Sequence, residues 1–176
     1  MRAVRTISLA LVLVLPGSAA ACSSGHNAEA WAASVCTALV PWRSEISTLT
    51  TRTQQQMSTR TTPGQARENL ARLFDGARSA SETARAGVER AGVPDVTDGK
   101  QIAAAFVGSL AGMRDAYGTA HDGIAALPTN QPTTFYTEVG KVVDRLNQQY
   151  EKSGLDTTKL DSVELRDAFE SLPECQ

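Results

Sequence analysis

The chain has 176 residues, of which 20 % are charged and only 5 % aromatic, with a formal net charge of −2 at pH 7. That is the length of one domain plus a targeting segment, and the acidic balance argues against nucleic acid as a partner. Two histidines and three cysteines leave little for a metal cluster, and the scarcity of aromatics calls for a core of small aliphatic packing.

Residues 1–21 read as an export signal. Arg2 and Arg5 form a basic n-region, residues 7–15 an uncharged, mostly apolar run, and Pro16-Gly17 a breaker before the small residues 18–21. Nine residues are too few to cross a hydrocarbon core, which needs about 20 in a helix. Cleavage before Cys22 suits either of two peptidases. Residues 19–21 fit an ordinary A-x-A site, which would release a soluble protein. Residues 19–22 also resemble a bacterial lipobox, whose cysteine receives a diacylglyceryl group, although Ala19 stands where that pattern usually has a large aliphatic residue.

Cysteine arithmetic bears on the choice. In an oxidising compartment an odd thiol is a liability. If Cys22 carries the lipid, Cys36 and Cys175 remain as one disulfide pair; if it does not, one thiol is left over. Residues 22–27 (Cys-Ser-Ser-Gly-His-Asn) are small and polar, as a lipid-linked tether should be. The expectation is lipidation at Cys22, with residues 28–176 as one helical domain. Without the two signal arginines, residues 22–176 hold 15 basic and 19 acidic side chains.

The first helix should begin near Ala28, with Trp31, Val35, Leu39, Trp42, Ile46 and Leu49 forming one stripe at steps of three and four. Pro41 lies inside that stripe and predicts a kink or break. The polar stretch 50–61 should continue the helix and fray as a solvated end. Thr62, Pro63 and Gln65 then spell a capping box for a second helix. Ala66, Leu70, Leu73, Phe74, Ala77, Ala84 and Val88 line its inner face. Ala91-Gly92-Val93-Pro94 closes it, with glycine at C′ and proline beyond.

The third helix is expected to be capped by Asp98, with Gln101 three residues on, and to bury Ile102, Phe106, Leu110, Met113, Tyr117, Ile124 and Leu127. Gly108 and Gly112, flanked by Ala104 and Ala116, form a small-residue ladder that should admit a neighbouring backbone. A fourth helix follows Pro132, with Phe135, Val139, Val142, Val143, Leu146 and Tyr150 inward. A short fifth is expected to be capped by Asp161 and Glu164, with Leu160 and Leu165 as a staple. The fold class that follows is all-α, an antiparallel four-helix bundle with a short C-terminal fifth helix.

Chemistry is sparse. There is no Glu-x-x-His, G-x-S-x-G, S-x-x-K or H-E-x-x-H motif. His121 reads as a solvated histidine and Met113 as a core residue, and Glu82, Arg85, Glu138 and Arg145 as solvated surface. No enzyme activity, cofactor or metal is expected. From Trp31-Ala-Ala-Ser-Val-Cys36 through Pro41-Trp42 to Pro173-Glu-Cys175, the chain resembles a group of small helical lipoproteins of high-GC Gram-positive (actinobacterial) bacteria. The resemblance implies a surface lipoprotein and transfers no active residue. The expected function is a binding or interaction module, held at the outer face of the cytoplasmic membrane, that meets an envelope protein or a small ligand. The alternatives are a structural or accessory envelope protein, or a secreted helical protein without lipid.

Overall fold

The computed structural model describes residues 27–154, 157 and 160–176. Five α-helices follow in order: α1 Ala28–Gln56, α2 Pro63–Arg90, α3 Gly99–Ala125, α4 Pro132–Ser153 and α5 Val163–Ser171, with a final 3-10 turn over Pro173–Cys175. No β-strand occurs among the described residues. The fold is an all-α antiparallel bundle with a short fifth helix.

Asn27 starts α1, its side-chain oxygen accepting from the Ala30 amide at 2.7 Å. The break anticipated at Pro41 does not occur; the helix runs through it unbroken. Proline removes the hydrogen bond to the carbonyl four residues back, that of Thr37. Thr37 and Pro41 are both exposed, so water can serve the freed carbonyl. Meanwhile Trp42, on the inner face, donates to the Ser81 hydroxyl on α2 at 3.0 Å and holds the following turn in place. Ser81 passes the bond on to the Ala77 carbonyl at 2.8 Å, so this fully buried hydroxyl is satisfied. The polar stretch is also better seated than a frayed end, because helix persists to Gln56 and Thr53 is 8 % exposed.

The capping box at α2 is present in full: Gln65 N–H donates to the Thr62 hydroxyl, and Thr62 N–H to the Gln65 side chain at 3.0 Å. Gly92, with φ 74°, ends the helix as anticipated.

Two caps are corrected. Asp98 makes no side-chain capping bond; it sits at φ 58°, in the left-handed region, and delivers the chain into α3 from a tight turn. Gly99 follows because a Cβ there would run into the Pro94 carbonyl oxygen. At α5 the cap is Ser162, one residue after Asp161, and its hydroxyl accepts from Leu165 N–H at 3.2 Å. Glu164 accepts from that same hydroxyl at 2.9 Å.

α2 and α3 form the central pair, α1 packs on α2, α4 packs on α3, and α5 with the final turn packs on α1. The interior has two centres. One gathers Trp31 and Val35 of α1, Ala84 and Val88 of α2, Phe106 and Leu110 of α3, and Leu165 and Phe169 of α5. The other joins Phe74, Ala77, Tyr117, Ile124 and Val142, with Ile46 and Leu49 of α1 beside them. α4 is the least buried long helix, since only Phe135 and Val142 are fully enclosed. Tyr150, expected inward, is exposed.

Candidate functional site

The expected small-residue ladder does not act as a unit. A Cβ at Gly112 would strike the Ser153 side chain of α4, and Ser109 donates to the Ser153 carbonyl there. Gly108 faces open space. Tight glycine contacts between α1 and α2 fall at Gly76 and Gly87. A Cβ at those positions would lie 2.9 Å from Leu49 and 2.8 Å from the Ala38 side chain. The spacing of Gly76 and Gly87 does not form a G-x-x-x-G motif, so no sequence signal marked them.

Cys36 and Cys175 form a disulfide, their sulfurs 2.07 Å apart, which joins α1 to the final turn across a sequence separation of 139 residues. Residues 1–26, with Cys22 and His26 among them, lie outside the described residues. His121 rests against the neighbouring Asp122 carboxylate, Nδ1 to Oδ1 2.9 Å. Met113 is buried in the first core. Among the described residues no group of three His, Cys, Asp or Glu side chains converges, and no helix is long and apolar enough to cross a membrane.

Charge on the outer faces is more organised than a solvated surface. Arg85 forks onto Glu82 through two bonds of 2.8 and 2.9 Å and reaches Glu89 at 3.1 Å. Arg114 of α3 meets the same Glu82 at 2.8 Å and its own neighbour Asp115. The chain Glu89–Arg85–Glu82–Arg114–Asp115 thus ties α2 to α3. Hydrogen bonds from Arg85 first, then Arg114, hold the Glu82 carboxyl down to about 2. A carboxyl depressed on folding lends stability that is present above its unfolded pKa and lost as pH falls towards its folded one. Glu82→Gln is therefore expected to flatten the stability loss between pH 4.5 and about 2, read from urea midpoints across that range. An unchanged acid limb would deny the network any part. Glu82 is 44 % exposed, so screening keeps the effect small.

The far end of the bundle, where α1 turns into α2, holds a polar cleft. Gln56, Ser58, Arg60, Thr61, Gln65 and Arg72 line it, together with Glu68 and Asn69. Local bonds fix its walls. Thr61 hydroxyl donates to the Gln56 carbonyl at 3.2 Å, and Ser58 N–H to Thr61 Oγ1 at 2.8 Å. Asn69, 8 % exposed, donates towards Gln56 O and accepts from Arg72. Tyr136 of α4 donates to the Thr61 carbonyl at 3.3 Å, and Arg67 to Leu127 at 3.3 Å, so both inter-helix turns are laced together.

A second groove runs between α1 and α2 over Trp42, walled by Pro41, Gly76, Ala80 and Ala84. Both clefts are open to solvent. Among the described residues every buried side-chain nitrogen and oxygen has a partner, so no polar atom in the core is left for a ligand. Compared with known protein families, characterised proteins and solved structures, the chain matches none.

Proposed function

We propose that the chain is an exported lipoprotein, held at the outer face of the cytoplasmic membrane by a lipid on Cys22, and that its bundle is a non-enzymatic interaction module. The observation that carries the anchor is the pairing of Cys36 with Cys175. It leaves Cys22 as the odd cysteine, directly behind a small-residue cleavage region, in a compartment where a free thiol is a hazard. Several acyl chains, each buried CH2 contributing about 0.8 kcal/mol, make a lasting attachment.

Charge supports the same arrangement. Residues 160–176, which pack beside the start of α1, carry Asp161, Glu164, Asp167, Glu170 and Glu174 against Arg166 alone. Such a pole is repelled by anionic headgroups, so attachment there calls for a lipid and not for headgroup attraction. The satisfied core favours a partner met on the outside of the bundle over a small ligand enclosed within it.

The test is mass spectrometry of the native protein from its own membranes, paired with cross-linking in intact cells. A mass of residues 22–176 plus a diacylglyceryl lipid and two hydrogens short is expected, with cross-links to an envelope component. An unmodified mass, found in the medium, would replace the anchor by a secreted bundle. Absence of any cross-linked species would remove the interaction role.

A further inference from the structure

α1 spans 29 residues in a single helix, so the α1–α2 turn stands roughly 40 Å from Asn27. Charge is segregated along that length. Residues 50–74 carry Arg52, Arg60, Arg67 and Arg72 against Glu68 alone, opposite in sign to the acidic segment 160–176 at the other end. Among the described residues, none of these four guanidiniums is within salt-bridge distance of a carboxylate, whereas Arg78, Arg85 and Arg114 further down are all paired.

Arg67 is turned to the Leu127 carbonyl. Arg60 and Arg72 line the polar cleft, and Arg52 lies one helical turn before Gln56 on the same side. Two guanidiniums therefore line a cleft that holds one carboxylate, Glu68, with Arg52 a helical turn away along α1. Ser58 and Gln65 add neutral polar groups, the Thr61 hydroxyl being already given to the Gln56 carbonyl. Guanidinium forks are suited to oxyanions, and neutral polar groups beside them match a group whose oxygens accept from several directions.

We propose that this tip binds a phosphate-bearing polyanion of the envelope through Arg60 and Arg72, with Arg52 alongside. The inference deepens the interaction-module reading by naming the partner's chemistry. A membrane surface is not the occupant we propose, because the tip is the end remote from Asn27, which follows Cys22 by five residues in sequence. A polymer reaching inward is placed to meet it.

The test uses the full chain in neutral detergent, with inorganic polyphosphate as probe and polyglutamate as the carboxylate comparison. Polyphosphate is expected to bind, more weakly as salt rises. Arg60→Gln with Arg72→Gln should lower affinity by about tenfold or more. Arg43→Gln with Arg90→Gln, exposed positions away from the tip, should leave affinity unchanged. Because Arg72 holds Asn69, the pair Arg52→Gln with Arg60→Gln gives a second variant that leaves that buried amide alone, and a parental melting temperature certifies its fold. Three results would overturn the proposal: no polyphosphate binding, an equal loss in the control pair, or equally tight polyglutamate binding. The measurement needs no lipid, so it stands apart from the anchor. Cross-links mapping elsewhere than the tip would retain the module and remove this site.

Discussion

Replacing Cys36 and Cys175 together by serine is expected to lower unfolding free energy by about 2–5 kcal/mol, the range for removing a native disulfide. The bond closes a loop of 139 residues, so the unfolded chain gains much freedom when it is cut. The folded side points the same way. α5 has nine residues, too few to persist as an isolated helix. It is held by Leu165, Ala168 and Phe169 against α1, and by the bond four residues after its end. Loss should be local first: amides of α5 exchange faster while those of α2 and α3 stay protected. Urea denaturation with and without reductant, joined to hydrogen exchange, reads both parts. An unchanged midpoint under reducing conditions would mean that α5 is held by its apolar contacts alone.

Much of this architecture was legible in the sequence, and for a physical reason. Helix ends at Thr62 and Gly92 are set by local chemistry within four residues, and the structure has both as read. Asp98 and Asp161 were misread because an acidic residue three before a polar one also suits a tight turn, and only the neighbouring chain decides. Pro94, pressed on Gly99, settles the first case. For the second, Ser162 offers the same oxygen one residue later, with Leu165 correctly facing the core. The helix is unbroken at Pro41, where a kink or break was expected. A contact that supports the next turn, Trp42 with Ser81, spans 39 residues and so is invisible to local sequence. The polar tip was the least visible. Its arginines are spread over two helices and a turn, and each alone reads as a solvated side chain. Only the fold shows that no carboxylate but Glu68 shares their cleft.

Trp31→Ala should be the most damaging single substitution, costing about 3–5 kcal/mol. Trp31 is 0 % exposed and stands where α1, α3 and α5 meet. Its ring meets Phe106 edge-on at 5.1 Å and Phe169 at 6.1 Å, and those two stack on each other at 5.5 Å. Such pairs contribute about 0.5–1.5 kcal/mol each beyond the area they bury. The indole N–H also donates to the Gly92 carbonyl at 2.9 Å, which fastens the end of α2 to the start of α1. Truncation therefore removes the joint between three helices and leaves a carbonyl short of its partner. Small neighbours such as Ala32 and Ala84 cannot fill the space. A domain of this size has about 5–15 kcal/mol in total, so Trp31→Phe gives a milder companion that keeps part of the stacking. Trp42→Phe is the informative contrast: it removes one hydrogen bond, while Ser81 keeps its own to Ala77, and should cost about 1 kcal/mol. The disulfide and Trp31 both fasten α5 to α1, so combining their removal should cost less than the sum of the two. Strict additivity in that cycle would separate them, and would place the footing of α5 on the remaining contacts of Leu165 and Phe169.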